Sequence, residues 1–191
     1  VYKEAIAISD EARALANTIY NYRYLNFWNP MINIARDPRW GRTQEGYGED
    51  PFLVSRIAVE YIKGLQGKDD KYIKAIASPK HFVANNVDGD RHFTNSKIDD
   101  KILRDYYFPA FKSSIVEGRA QGLMSAYNSL NGVPCSSNDL LLNNILRNEW
   151  GFKGHVVSDC GAIYNIHANH FFTETPHQGV AIALKSGTDM N

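Results

Sequence analysis

The chain has 191 residues, 43% of them hydrophobic, which is enough to bury one sizeable core and predicts one domain or a large piece of one. Its 21 basic residues balance its 21 acidic residues and neither sign forms a long run, so a nucleic-acid or membrane-surface partner is not expected. The sequence shows no membrane-spanning apolar stretch and no signal-peptide pattern, and it assigns no compartment.

The first half of the chain predicts two helices separated by an extended segment and a loop. Apolar residues recur at helical spacing from Lys3 to Tyr20, and the stretch from Tyr24 to Ile34 is predicted to be extended. A loop rich in turn formers follows, through Arg42. A proline after Asp50 marks the start of the second helix, and Gly67 marks its end.

The second half alternates strands and helices. Pro109 is expected to kink or divide one of these helices, because proline removes a backbone hydrogen bond. A threonine-proline pair at Thr175 begins the last helix, which precedes an extended segment at 188–190. The other predicted elements are strand Tyr72–Ala77, helix Asp99–Glu117, strand Gly122–Ala126, helix Asn138–Trp150 and strand His155–Ser158.

This alternation leaves two parallel architectures, an open doubly wound sheet or a closed eight-stranded barrel. No glycine-rich dinucleotide or phosphate loop follows a strand, which favours the barrel. The predicted fold class is therefore α/β, a partial TIM-type (β/α)8 barrel in which residues 1–191 form a single incomplete domain. Since about five strands are recognisable, about three more are expected outside the chain. Association with the rest of the protein or with a second copy would close the open sheet.

Polar side chains follow four successive predicted strands. For any one of them a structural role is as good an explanation, such as a helix cap for Asp159 or a salt bridge for Lys80 and His81. Because burying unpaired charge is costly, their convergence at one face indicates a site. The groups are Arg36 and Asp37 with the loop to Arg42, then Lys80 and His81, then Tyr127 and Asn128, and finally Asp159.

A carboxylate beside lysine, arginine and tyrosine donors is expected to stay ionised, with a depressed pKa for Asp159, and so could act as a nucleophile. Retaining glycosidases pair such a carboxylate with a second carboxyl group about 5 to 5.5 Å away. The other acids have structural explanations, because Asp50 and Asp99 begin helices while Glu117 and Glu149 end them. The second acid is therefore expected outside this chain.

Six motifs follow one another along the chain. They are Phe27-Trp28-Asn29-Pro30, the stretch from Asn33 to Pro51, Pro79-Lys80-His81-Phe82, Met124-Ser125-Ala126-Tyr127-Asn128, Asn131-Gly132-Val133-Pro134 and Val156-Val157-Ser158-Asp159. In this order they closely resemble the N-terminal barrel of glycoside hydrolase family 3. The resemblance covers nearly the whole chain, so it is highly specific.

The resemblance implies that Asp159 is the catalytic nucleophile of an exo-acting retaining β-glycosidase and forms a covalent glycosyl-enzyme intermediate. It implies that Arg42, Lys80, His81 and Tyr127 contact the innermost sugar or position the nucleophile. The implied substrate is a small oligosaccharide or glycoside, with no cofactor and no metal. The family's general acid/base lies in a following domain, and another sugar-binding aspartate lies upstream of the matched region.

The resemblance also bears on the substrate. Cys160 follows the nucleophile where many β-glucosidases of the family carry tryptophan, and this resembles the β-xylosidase branch. A β-xyloside is therefore favoured, with a β-glucoside a close second. The chain lacks the glycine-rich loop of the N-acetylhexosaminidase branch after Lys80 and His81. The alternative function is a carbohydrate-binding or catalytically inactive fragment without the general acid.

Several other features are expected to be structural. Asp37 and Glu45 are predicted to pair with Arg42 or Lys80. Cys135 and Cys160 are predicted to be free, buried thiols, because their spacing fits neither a metal site nor a disulfide framework. Asp88-Gly89-Asp90 lacks the later ligands of a calcium loop. No HExxH pattern occurs, so surface or packing roles are assigned to His92, His155, His167, His170 and His177.

Overall fold

A computed structural model describes residues 1–18, 25–69 and 71–191. The predicted end of the first helix at 19–20 and the predicted start of the extended segment at 24 lie outside these ranges. No helix in the described ranges is long and apolar enough to cross a membrane. The helices are α1 (Tyr2–Thr18), α2 (Pro51–Gln66), α3 (Asp100–Ile102), α4 (Pro109–Val116), α5 (Ala162–Ala168) and α6 (Pro176–Lys185), with π-helical segments Leu103–Tyr107 and Leu140–Glu149 and 3₁₀ turns Thr43–Glu45 and Cys135–Ser137.

The first two strands, Asn26–Phe27 and Ile76–Ala77, are shorter than the sequence predicts, whereas the strand His155–Ser158 has the predicted bounds. Pro30 lies inside the predicted extended segment, and Pro79 follows the predicted strand Tyr72–Ala77. Neither proline can donate a ladder hydrogen bond, so pairing there is reduced to isolated bridges such as Met31 with Lys80. The strands are β1 (Asn26–Phe27), β2 (Ile76–Ala77), β3 (Asn95–Ser96), β4 (Gly122–Ser125), β5 (Ser129–Leu130), β6 (Val133–Pro134) and β7 (His155–Ser158).

In the described ranges, five extended segments lie side by side in chain order and are all parallel. β1 pairs with β2, and the bridge from Phe82 to Ser125 connects the segment after β2 to β4. β4 pairs with β7 over four residues, and the bridge from Val157 to Met190 adds the last segment. This arrangement, with helices between successive strands, confirms the predicted partial α/β barrel.

A second, smaller sheet was not expected from the sequence. β3 is parallel to β5, and β5 is antiparallel to β6. The hairpin between β5 and β6 turns at Asn131 and Gly132, whose φ angles are 51° and 91°. Asn-Gly is the strongest short-range signal for such a hairpin. Strand β5 of this sheet begins four residues after the last residue of β4, so the sheet lies beside the end of that strand.

The helix boundaries follow the predicted capping residues closely. The carboxylate of Asp50 accepts from the backbone N–H of Phe52 at 2.8 Å, and Gly67 ends α2 with a φ of 82°. Thr175 forms a capping box at the start of α6. Pro109 begins α4 and is separated by Phe108 from the end of a π-helical segment, so the predicted division of that helix is confirmed. The predicted helix at 138–150 is π-helical over Leu140–Glu149.

The core fixes the segment that carries Lys80 and His81. Phe82 follows them and is fully buried. Its ring centroid lies 5.0 Å from that of Phe111 and 5.7 Å from that of Trp150. Aromatic contacts of this kind bury a large apolar area and restrict rotation. The preceding two residues are therefore held at the end of the strand.

Candidate active site

The strand ends bring Arg42, His81 and Asp159 together. His81 Nε2 lies 3.4 Å from an Arg42 guanidinium nitrogen and 3.5 Å from Asp159 Oδ2. The three residues come from the loop after β1, the segment after β2 and the end of β7. The expected convergence of these residues is therefore present in the fold.

The carboxylate of Asp159 is buried, with 7% of the residue exposed. Its Oδ1 accepts from the backbone N–H of Cys160 at 2.8 Å. Its Oδ2 has no hydrogen-bond partner among the described residues. Helix α5 begins after Gly161, which has a φ of 75°, and no side chain caps it. Helix capping is therefore not the role of this carboxylate.

Burial raises the pKa of Asp159. The hydrogen bond from the Cys160 N–H and the charges of Lys80 and Arg42 lower it, but by less than burial raises it. The depressed pKa expected from the sequence is thus wrong in direction. The loss of water outweighs the neighbouring cations, one of which, Arg42, is also paired with Glu45.

Arg42 is held by a bidentate ion pair. Its Nε and one terminal nitrogen donate to the two carboxylate oxygens of Glu45, each at 2.7 Å. The predicted pairing of Glu45 is therefore confirmed. Asp37 instead accepts from Arg39, at 2.6 Å to 3.0 Å, so its predicted pairing with Arg42 or Lys80 is wrong. A tight turn places Arg39, and not Arg42 or Lys80, within hydrogen-bond distance of the Asp37 carboxylate.

His81 is neutral and its tautomer follows from its partner. Asn33 Oδ1 accepts from the backbone N–H of His81 at 2.8 Å and lies 3.0 Å from His81 Nδ1. An amide oxygen can only accept, so Nδ1 carries the proton and Nε2 accepts from Arg42. Burial, with Arg42 and Lys80, lowers the pKa of His81 to about 2. Its contact with Asp159 is therefore not an ion pair.

Asn33 was missed as a site residue in the sequence. It is 3% exposed and also donates to the backbone carbonyl of His81 at 2.9 Å. A polar residue between the buried Ile32 and Ile34 could have indicated it, because a buried amide needs a partner.

Lys80 and Tyr127 complete the predicted set. Lys80 is partly buried, and burial and then Arg42 lower its pKa, against the opposite effect of Glu45 and Asp159. The Tyr127 hydroxyl donates to the backbone carbonyl of Cys160 at 2.8 Å. Burial and then Asp159 raise the pKa of Tyr127 to about 12, so it remains a proton donor at neutral pH.

The two cysteines differ. Cys135 is buried as predicted, and burial raises its thiol pKa to about 12. Cys160 is exposed, which contradicts the predicted buried thiol. It lies two residues after the end of the buried strand β7, next to Gly161, whose φ is 75°. Within the described ranges no three His, Cys, Asp or Glu side chains group as a metal site would require.

Known proteins are similar to this chain over almost its whole length. The family model for the glycosyl hydrolase family 3 N terminal domain matches residues 3–191. A beta-xylosidase/alpha-L-arabinofuranosidase 2 of Medicago sativa subsp. varia is 39% identical over 96% of this chain and 24% of the relative. A xylan 1,4-beta-xylosidase of Xylanibacter ruminicola is 43% identical over 88% of this chain and 20% of the relative.

Solved structures agree in fold. A GH3 exo-beta-xylosidase in complex with a xylobiose aziridine activity-based probe superposes with a TM-score of 0.94 and 33% identity, over 99% of this chain and 25% of that one. Beta-glucosidase 3B from Thermotoga neapolitana in complex with glycerol superposes with a TM-score of 0.79 and 32% identity, over 100% of this chain and 24% of that one. The chain thus spans about a quarter of the length of these relatives. It belongs to glycosyl hydrolase family 3, within the N-terminal domain of that family.

Proposed function

We propose that this chain is the nucleophile-bearing part of an exo-acting retaining β-glycosidase that removes a terminal sugar. The observation that supports it is the geometry of Asp159. One carboxylate oxygen is held by a backbone N–H, while the other is buried, has no hydrogen-bond partner among the described residues and faces the Arg42–His81 pair. Burying a carboxylate oxygen without a hydrogen bond costs free energy, and an oxygen held in this state is suited to attack a ligand.

In the proposed reaction, Asp159 Oδ2 attacks the anomeric carbon as the bond to the leaving oxygen breaks and its electron pair moves to that oxygen. A general acid protonates the leaving oxygen, and water later hydrolyses the glycosyl ester. Arg42 and Lys80 would donate to the hydroxyls of the sugar. His81, neutral and anchored by Asn33, would keep Arg42 in place.

The proposed substrate is a β-xyloside, with a β-glucoside second. The first relatives are xylosidases by name, and the structure with the highest TM-score reported above holds a xylobiose-derived probe. Cys160 also supports this choice, because a small exposed residue follows the nucleophile. The relatives named as beta-glucosidases support the second choice.

The general acid and the remaining barrel strands are proposed to lie outside residues 1–191. Four of the carboxylates described here are occupied: Asp50 and Asp99 cap helices, while Glu117 and Glu149 pair with arginines. The relatives are about four times as long, which leaves room for another domain. The same observation favours a second candidate function, a sugar-binding fragment that is inactive until the acid is supplied.

Hydrolysis of 4-nitrophenyl β-xyloside by Asp159→Asn tests the proposal. In the polypeptide that contains the whole site, we expect the substitution to lower kcat/KM on the order of 10⁴-fold. Asp37→Asn is the matched control, because the Asp37 carboxylate pairs with Arg39, and it should keep full activity. Turnover that survives Asp159→Asn would refute the nucleophile. If residues 1–191 alone bind xylose without turnover, the sugar-binding candidate holds for the fragment.

A further inference from the structure

Tyr127 lies against the turn that carries Arg91 and His92, two residues without a role in the proposed reaction. The ring centroid of His92 lies 4.4 Å from that of Tyr127, with the two planes tilted by 60°. The guanidinium carbon of Arg91 lies 5.2 Å from the centre of the Tyr127 ring. His170 Nε2 lies 2.8 Å from the backbone carbonyl of Tyr127, where it can donate. These contacts leave the tyrosine little freedom to turn.

His92 is itself held by a hydrogen bond from Asn165. The amide nitrogen of Asn165 lies 2.8 Å from His92 Nδ1 and donates to it. Asn165 is 5% exposed and belongs to α5, the helix that follows Asp159. The imidazole is therefore fixed between α5 on one side and the Tyr127 ring on the other.

A continuous series of contacts connects His92 to the carboxylate. The Tyr127 hydroxyl donates to the carbonyl of Cys160, and the N–H of Cys160 donates to Asp159 Oδ1, both at 2.8 Å. Tyr127 thus anchors the residue that orients Asp159. A ring that tilts would release the Cys160 carbonyl and allow the carboxylate to rotate.

We propose that His92 is a positioning residue: backed by Asn165 and flanked by Arg91, it holds the Tyr127 ring so that the turn at Cys160 aims Asp159 Oδ2 at the anomeric carbon. The proposal rests on the proposed function, in which Asp159 is the nucleophile. Neither Arg91 nor His92 needs to touch the sugar for this role.

The test uses dinitrophenyl 2-deoxy-2-fluoro-β-xyloside. Asp159 Oδ2 forms a bond to the anomeric carbon, and the electron pair of the broken bond leaves on dinitrophenolate, which needs no proton from a general acid. The labelled protein is measured by intact mass and by peptide mapping. Varying the probe concentration separates its dissociation constant from the maximal labelling rate.

We expect His92→Ala to lower the maximal rate about tenfold and to leave the dissociation constant within about twofold, because misorientation affects attack more than binding. His92→Phe keeps a ring against Tyr127 but loses the Asn165 hydrogen bond, so its maximal labelling rate should be about a third of the wild-type rate. It carries the same test where His92→Ala does not fold. The control is His177→Ala, an exposed histidine of α6, which should label at the wild-type rate.

The two proposals fail differently. A wild-type protein that is not labelled, or a label that persists in Asp159→Asn, would overturn the proposed function. Labelling at Asp159 with equal maximal rates for wild type and His92→Ala would overturn only the positioning role. A change confined to the dissociation constant would also overturn it, because it would mean that His92 contributes to binding.

Discussion

The two ends of the β4–β7 ladder carry polar groups in opposite states. At the N-terminal end, the backbone N–H of Gln121 donates to Gln66 Oε1 at 2.9 Å, and His155 N–H donates to the carbonyl of Gln121 at 3.1 Å. At the C-terminal end, Asp159 Oδ2 is buried and has no partner among the described residues. The same two strands therefore end once in a satisfied network and once in an unsatisfied carboxylate.

The difference shows how to separate structural from functional polar residues in a parallel barrel. A buried polar group stabilises the fold only if its hydrogen bonds are made, and otherwise it costs free energy. Gln66 makes its bonds, including one from its amide nitrogen to the carbonyl of Arg119 at 2.9 Å. Asp159 makes such a bond at Oδ1 but leaves Oδ2 without a partner among the described residues, which supports the proposed ligand role over a structural one.

The largest expected effect lies at the N-terminal end. A Cβ on Gly154 would lie 2.1 Å from the backbone oxygen of Gln121, so Gly154→Ala must push β4 and β7 apart. We expect a loss of about 3 kcal/mol in unfolding free energy, measured by urea denaturation. The control is Gly151→Ala, where a Cβ meets nothing within 4 Å but φ is 72°, with an expected loss of about 1 kcal/mol. Equal losses would show that strand spacing does not limit stability here.

Gln66→Ala should have the next largest effect. The buried amide would no longer accept from Gln121 N–H or donate to Arg119, so we expect a loss of about 2 kcal/mol in unfolding free energy. Gln121→Ala removes one longer hydrogen bond, at 3.3 Å, and should cost less than about 1 kcal/mol. Labelling of Asp159 should be unchanged in both variants. A slower labelling rate in either would mean that the two ends of the ladder are not independent.

Asp159→Asn should have the smallest effect on stability and the opposite sign. Removing a buried charge without a partner should raise the unfolding free energy by about 1 kcal/mol at pH 7. A loss of stability at neutral pH would mean that the carboxylate is satisfied after all, and the contrast between the two ladder ends would disappear.

The pH dependence of that effect has a definite sign. Because the folded pKa of Asp159 is raised, the folded state binds the proton more tightly than the unfolded state does. The ionised carboxylate therefore lowers the unfolding free energy by its full amount only above the folded pKa. The cost disappears as pH falls through the folded pKa towards the unfolded value of 3.8. The difference in melting temperature between Asp159→Asn and wild type should therefore be largest near pH 7 and shrink in acid. A constant difference would contradict the raised pKa.

Much of the fold and part of the site could be predicted because the signals are local. Caps at Asp50 and Thr175 and the division at Pro109 each depend on a few neighbouring residues. The placement of Asp159 after a short apolar strand is equally local. The pairing of Asp37 was mispredicted because Arg39 and Arg42 are both near in sequence, and only the turn decides between them.

The amino-acid sequence by itself determined the alternation of strands and helices, the strand ends that carry Arg42, Lys80, His81, Tyr127 and Asp159, and the family. Those properties depend on periodicity, capping and motif order, which are written along the chain. Only the tertiary structure decided that Asn33 sets the tautomer of His81, that burial outweighs the cations around Asp159, and that His92 lies against Tyr127. The physical reason is that desolvation and long-range contacts depend on how distant segments pack, and no local pattern encodes that.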